Sequence, residues 1–315
     1  MNPLRIAASA LFCTLTLVSQ QAAAVEYVLP AANSRLIGEN QEYVVPADNR
    51  PLEQIAADFQ LGLTNIMEAN PGVDPYLPTP GSKLVIPHQL ILPNAPREGI
   101  VINVAEMRLY YYPKAGADGE RVVYTYPVSI GRMDWKTPLG VTKVTSKEVD
   151  PPWRPPASIK AEHAAQGDIL PDVVPGGPDN PLGRHALRLG IPSYLIHGTN
   201  RPNGIGMRVT HGCVRMYPED IQRLFETVSV GAPVLIVDQP IKAGWSKSEL
   251  YLSVNLPFEE DETPHTEATI ERAIDVLVDA SGGRADIDIN LVIKTVEEGS
   301  GRPVVVGKIK SGLVE

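Results

Sequence analysis

The chain has 315 residues, 43% of them hydrophobic and 21% charged, the balance of a globular protein and not of a disordered or fibrous one. A formal net charge of −9 excludes the broad basic face that nucleic-acid binders carry, so no nucleic-acid partner is expected. Thirty prolines and 26 glycines imply many turns and few long helices.

The N-terminus reads as an export signal. Arg5 precedes an apolar run, "IAASALFCTLTLV", which gives way to small residues at Ala22 and Ala24. The run is shorter than the roughly 20 residues that span a bilayer. Residues 1–24 are therefore expected to be cleaved near Ala24, with export to the periplasm and no stable transmembrane span. Phe12 before Cys13 is too large for a lipid-attachment signal. Cleavage would leave Cys213 as the single cysteine of the mature chain, an unpaired thiol in an oxidising compartment. Such a thiol is buried or used.

Residues 25 to about 40 read as a linker. The next stretch, 41–88, holds a β-branched run at Tyr43–Val45 and apolar residues at helical spacing (Leu52, Ile55, Ala56, Phe59). A second helical segment (Leu63, Ile66, Met67) stops at Asn70-Pro71-Gly72, and "KLVIP" closes as a strand. This βααβ order, with "YVV", "LEQIAADF", "NPG" and "LPTPGSKLVIP", resembles a LysM module. The resemblance implies binding of N-acetylglucosamine-containing glycan. Where that family opens on Gly-Asp-Ser/Thr-Leu, this chain has Ala47-Asp48-Asn49-Arg50-Pro51-Leu52.

From 97 to 240 the texture turns to β. "IVINVAEMRLYYYP" and "RVVYTYPVSIG" alternate apolar and polar residues about a turn at Asp118-Gly119, which predicts a hairpin. "TPLGVTKVTSKEV" is a further strand. Residues 150–184 are rich in Pro and Gly and read as a long loop or lid with a short helix near "SIKAEHAAQG", and loops of this length tend to be functional. "HALRLGIPSYLIHG" returns to strand, Pro218 opens a short helix, and "APVLIVD" closes the domain. The fold class expected is a mainly β domain, sandwich- or barrel-like, with a Cys-bearing loop. Residues 241–315 form a small α+β appendage: a strand, an acidic run at Glu259–Glu262, a helix with Ile270, Ala273, Ile274, Leu277 and Val278 on one face, and a strand-rich tail.

The stretch "IHGTNRPNGIGMRVTHGCVRM", residues 196–216, concentrates the reactive side chains. A nucleophilic cysteine needs thiolate character, a base, and donors for the oxyanion formed on carbonyl attack. Gly212 lets the backbone turn so that neighbouring N–H groups aim at one spot, and Arg215 and Arg208 raise the local potential. His197 ends an apolar strand sixteen residues before Cys213. If strand and loop pack side by side, imidazole and thiol meet. The Gly198 carbonyl would then hold the ring's tautomer, as a carboxylate does in other triads. His211 is a supporting candidate. From the two arginines, the Cys213 thiol is expected to have a depressed pKa. A zinc site of His197, His211, Cys213 and His185 lacks the paired ligand spacings of such sites, so no metal is expected. An inert buried cysteine is the remaining alternative.

"IHGT" followed by "THGCVRM" resembles the signature of L,D-transpeptidases, a His-Gly strand end followed at fixed spacing by Ser/Thr-x-Gly-Cys-Val/Ile-Arg. The resemblance continues through "REGIVINVAEMRLYYYP" and "PGGPDNPLG" and is closest in character to the periplasmic branch that anchors Braun lipoprotein to peptidoglycan. It implies Cys213 as nucleophile and His197 as acid and base, which fits the reading of Gly212 as oxyanion-forming and Gly198 as orienting. Arg215 and Arg208 would then pair with a stem carboxylate, or Arg215 would brace the loop by bonding backbone carbonyls; His211 and Thr210 are supporting candidates for the substrate surface, and no cofactor is expected. The donor would be a peptidoglycan tetrapeptide stem cut at its third residue with release of D-Ala. The acceptor would be a lipoprotein lysine or a second stem. Stem hydrolysis and catalytically silent wall binding are the alternatives.

Overall fold

The computed structural model describes residues 25–116, 119–255 and 266–311. The expected export signal, Asp118 of the expected turn and the acidic run lie outside them. The chain begins with β1 (Val25–Val28) and β2 (Leu36–Ile37), then the small βααβ unit β3 (Gln41–Val44), α1 (Leu52–Asp58), α2 (Leu63–Ala69) and β4 (Lys83–Ile86). After β5 (Leu90–Ile91) come β6 (Gly99–Asn103), β7 (Arg108–Tyr112), β8 (Val122–Pro127), β9 (Ile130–Gly131) and β10 (Gly140–Val149). Then follow α3 (Ala157–Ala165), β11 (His185–Leu189), β12 (Leu195–His197), β13 (Arg208–Thr210), β14 (Val214–Arg215), α4 (Pro218–Thr227) and β15 (Pro233–Val237). The C-terminal unit holds β16 (Ile241–Ser246), β17 (Glu249–Val254), α5 (Thr266–Ser281), β18 (Ala285–Ile287), α6 (Ile289–Glu298) and β19 (Val304–Ile309).

Nine strands make the main sheet in the order β1-β8-β7-β6-β15-β10-β11-β12-β14. Strand β10 spans its two halves. Its first four residues pair with β15, and beyond Val144, where the register shifts, it pairs with β11. Such an irregularity bends a strand and increases its twist, so the sheet curls around one core. That core holds Ile100, Leu109, Tyr126, Val144, Leu187, Ile196, Val214 and Ile236, capped by Ile221 and Leu224 of α4. A second layer, with Val101, Tyr110, Tyr112 and Val123, covers the opposite face of β6–β8. Being buried on both faces, β6 and β7 carry near-continuous apolar runs instead of a clean alternation.

Three readings of the sequence are corrected. The segment read as a linker contributes β1, which pairs antiparallel with β8 and extends the sheet. "IVINVAEMRLYYYP" is not a single strand: it holds a hairpin of its own, β6 and β7, turning through Met107 at φ 48°, and its second strand is the arm that pairs with β8 as expected. With β8 the hairpin forms a three-stranded meander. The strand-rich tail contains α6, whose N-cap Asp288 accepts from the N–H groups of Asn290 and Leu291 and whose C-cap Gly299 is left-handed at φ 51°. On α5 the buried stripe centres on Ala273 and Leu277, while Val278 is half exposed.

The three units meet at the β6–β7 turn. Glu106 there is 4% exposed, and one carboxylate oxygen accepts from Lys242 Nζ of β16 at 2.5 Å. The other accepts from Tyr110 Oη at 2.9 Å and Asn103 Nδ2 at 2.9 Å. Lys242 also donates to the Ile91 carbonyl at 2.6 Å, and Asn65 of α2 donates to the Glu106 carbonyl at 3.2 Å. Removing one member of such a pair leaves an uncompensated buried charge. Lys242→Ala is therefore expected to cost about 3–5 kcal/mol of stability, read as a denaturant midpoint shift that salt barely alters. A loss under about 1 kcal/mol, typical of exposed pairs, would count against this account.

Candidate active site

The site rests on two short strands. β12 and β14 run parallel, with Ile196 opposite Val214 and His197 opposite Arg215. Ile196 and Val214 are buried in the main core. Because successive side chains alternate across a strand, burying that pair turns His197 and Arg215 to the other face. Cys213, two positions before Arg215, shares it. The structure thus brings His197, Cys213 and Arg215 together on one side of the sheet. His185 lies on β11 beside Ala186, the partner of His197, so alternation sends its ring to the opposite face, against Phe225 at 4.8 Å. Among the described residues no group of three His, Cys, Asp or Glu is arranged to hold a metal.

His197 is 5% exposed. Its Nδ1 lies 2.7 Å from the Gly198 carbonyl. A carbonyl only accepts, so Nδ1 carries the proton and Nε2 is left with the lone pair. Burial lowers the imidazole pKa to about 4, aided by the Arg215 charge, while the Gly198 and Leu182 carbonyls oppose the shift. At neutral pH the ring is an uncharged base.

The Cys213 thiol is half-buried and hydrogen-bonds to the Ser193 carbonyl at 3.6 Å. Its pKa is raised, which overturns the depressed value expected from neighbouring arginines. Burial raises it first, and a backbone hydrogen bond with Leu195 and the charge of Arg215 only partly offset that. Arg208, the second arginine invoked, sits on β13 paired with Ile130 of β9. The resting pair is therefore a neutral thiol and a neutral imidazole. Thiolate forms only as the imidazole takes the proton.

The loop before Cys213 is tightly specified. Gly212 has φ 101°, and a Cβ there would lie 2.7 Å from the Tyr194 ring. Its carbonyl accepts from Thr137 Oγ1 at 2.9 Å, and its N–H donates to Thr210 Oγ1 at 3.2 Å. Thr210 Oγ1 in turn donates to the Cys213 carbonyl at 2.6 Å. Thr210 is thus committed inside the loop, and the Gly212 N–H, expected to face an oxyanion, points back into it. The Cys213 N–H is the remaining candidate donor.

Sequence reasoning missed Glu162 and Arg201. Glu162 of α3 accepts from His211 Nε2 at 2.6 Å and from both terminal nitrogens of Arg132, at 2.8 and 3.1 Å. His211 also packs edge-on against Trp135, 5.0 Å between ring centroids. Nothing local in "SIKAEHAAQG" marks Glu162 as a partner of His211. Arg201 acts on Arg215, whose guanidinium pKa is lowered by burial and by that second positive charge. Arg215 Nε is buried without a partner among the described residues.

His197, Cys213 and Arg215 thus share one face of a short parallel strand pair, with the thiol half-buried and Arg215 Nε without a partner among the described residues. Residues 97–236 match the family profile of the L,D-transpeptidase catalytic domain. The chain is 46% identical to the probable L,D-transpeptidase YbiS of Escherichia coli, over 90% of this chain and 92% of that one. It is 43% identical to the probable L,D-transpeptidase ErfK/SrfK of Salmonella typhimurium, over 94% and 96% respectively. The chain belongs to the L,D-transpeptidase family. A crystal structure of an Enterococcus faecium L,D-transpeptidase overlaps 46% of this chain and 52% of that one, with 21% identity and a TM-score of 0.34. The mainly β architecture of this family member is described by its own curled sheet.

Two outcomes follow from this geometry. The rate of Cys213 alkylation is expected to rise with pH to an inflection above that of an ordinary thiol, and an inflection below it would refute the neutral resting pair. Gly212→Ala forces a side chain into the Tyr194 ring, and the loop shift of about 1 Å that relieves it is expected to cost on the order of 10²-fold in turnover. Unchanged turnover would show that the loop adjusts freely.

Proposed function

We propose that this chain is a cell-envelope L,D-transpeptidase that works through Cys213 and His197. The observation that carries the reading is the tautomer of His197: with Nδ1–H held by the Gly198 carbonyl at 2.7 Å, Nε2 is the free lone pair on the face that Cys213 shares. His197 takes the thiol proton as sulfur attacks the carbonyl of the third residue of a tetrapeptide stem. It returns that proton to the departing D-Ala amine, leaving a thioester on Cys213. An acceptor amine then attacks, its proton passes to His197, and the thiol is restored. The acceptor is the lysine of an outer-membrane lipoprotein or the amine of a second stem.

The Cys213 N–H is the oxyanion donor in this scheme, worth about 3–4 kcal/mol in comparable sites. Arg215, with its unpartnered Nε and with Arg201 near it, is suited to a stem carboxylate. Arg208 lies on the strand leading into the loop. Thr210 and His211 act through loop shape instead of substrate contact. The βααβ unit 41–88 supports a glycan-binding role, which fits a wall substrate, and residues 1–24 are the periplasmic export signal in this reading. No helix among the described residues is long and apolar enough to cross a membrane.

Incubation with a synthetic tetrapeptide stem is expected to release D-Ala and add the tripeptide mass to Cys213. Cys213→Ala should abolish both, and His197→Ala should slow thioester formation by roughly 10²–10⁴-fold. Retention of D-Ala release by Cys213→Ala would end the proposal. Muropeptide mass spectrometry, with and without the gene, separates lipoprotein attachment, stem cross-links and simple trimming.

The pH profile gives a second check. His197 must be unprotonated to act, and its pKa is about 4. The acid limb of kcat/KM is therefore expected near pH 4, with activity retained between pH 5 and 7, as a general base with that pKa requires. A limb near the value of a free imidazole would contradict the assignment.

A further inference from the structure

Residues 150–184, the long connection between β10 and β11 read from the sequence as a loop or lid, are closed upon themselves. At its base the Asp150 N–H donates to the Arg184 carbonyl at 2.8 Å, and Trp153 and Val174 exchange backbone hydrogen bonds of 2.8 Å each. Buried Asn180 donates to the carbonyls of Pro151 at 2.8 Å and Pro175 at 3.0 Å. Two polar side chains of α3 also stay within the lid: Lys160 bonds Asp172 at 2.5 Å, and His163 bonds Asp168 at 2.7 Å. Among the described residues, Glu162 is the polar side chain of α3 that leaves it.

Both of its partners belong to the cysteine loop or are bound to it. His211 is two residues from Cys213. Arg132 donates its backbone N–H to the Thr210 carbonyl at 3.0 Å while its side chain forks onto Glu162. Since the carboxylate accepts only, His211 Nε2 bears a proton toward it. The 3.3 Å approach of Arg132 to the same nitrogen is then a contact between two donors that share one acceptor. Bidentate, charge-assisted geometry of this kind fixes orientation as well as adding attraction.

The geometry points to Glu162 as a positioning residue that latches the α3 lid onto the 210–213 loop and so favours amine over water at the acyl-enzyme. This rests on the reading of Cys213 as the acyl carrier. At the thioester two outcomes compete. With an amine, a C–N bond forms, the C–S bond breaks, and the amine proton passes by way of His197 to the sulfur. With water, a C–O bond forms in its place and the product is the free tripeptide acid. Keeping the site dry is what separates the two rates. A lid held at its base but free at α3 admits water to the same thioester.

The test uses the full-length protein, a synthetic tetrapeptide donor and a fixed concentration of amine acceptor. The readout is the ratio of free tripeptide to amide product. A general loss of rate cancels from this ratio, because both products come from one thioester. Glu162→Ala is expected to raise it by about two- to fivefold, the upper part of the range for exposed ion pairs. Arg132→Ala should raise it similarly, and the double variant no further than the larger single effect, because the three groups act as one unit. Glu162→Gln, which keeps an acceptor, should restore part of the selectivity. In parallel, hydrogen exchange of residues 157–165 should quicken in Glu162→Ala while 99–112 stay protected. An unchanged product ratio in a wild-type-active background overturns the latch alone. Unchanged exchange overturns it even without turnover, whereas a wild type that forms no thioester sinks the proposed reaction instead.

Discussion

The site depends on the parallel pairing of β12 with β14, two residues deep. Because Ile196 and Val214 anchor this pair in the core, His197, Cys213 and Arg215 have no freedom about which face they occupy. A one-residue slip would send all three into the hydrophobic layer and bring two aliphatic side chains out. Reactive geometry is thus secured by apolar burial, a non-directional force, through the strict alternation of the strand.

Around that pair the two histidines have opposite environments. His197 is enclosed, faces carbonyls and a guanidinium, and stays neutral. His211 meets the carboxylate of Glu162, whose own pKa is held down to about 2 by hydrogen bonds from Arg132 and His211. A carboxylate against His197 would favour imidazolium. A carbonyl orients the ring and leaves it a base. The acidic partner is placed instead against His211 and Arg132, joining α3 to the loop before Cys213. Burial governs the thiol as well, which is why the nearby Arg215 charge fails to lower its pKa below the ordinary value.

The smaller units are not loosely appended. The small module reaches the site's periphery: the Leu63 N–H donates to the Ile205 carbonyl at 2.9 Å, and Gly62 lies against Gly206 so closely that a Cβ on either would overlap the other's backbone. The C-terminal unit is tied in through Lys242 and Glu106, at the β6–β7 turn of the meander. Loop 199–207, which carries Arg201, is therefore supported from behind by residues far away in the chain.

Much of this was legible from local pattern. The βααβ order of 41–88, the α3 and α4 helices, the strand leading to His197 and the glycine turn before Cys213 all follow from periodicity, caps and backbone freedom, which act within a few residues. The capping pair Asp288 and Gly299 was equally local, and α6 was missed only because its apolar residues were read as strand. The direction of the Cys213 pKa, the inward turn of the Gly212 N–H and the pairing of Glu162 with His211 were not legible. The first and last depend on which distant groups share a volume, burial in a crevice and a carboxylate forty-nine residues away, and the second on a turn that folds the N–H back onto the Thr210 hydroxyl two residues before it. Chain chemistry by itself determined which residues could react and where the backbone could bend. Only packing decided which of them lost their water and which neighbour each one faced, because desolvation and contact are properties of the folded volume and not of order along the chain.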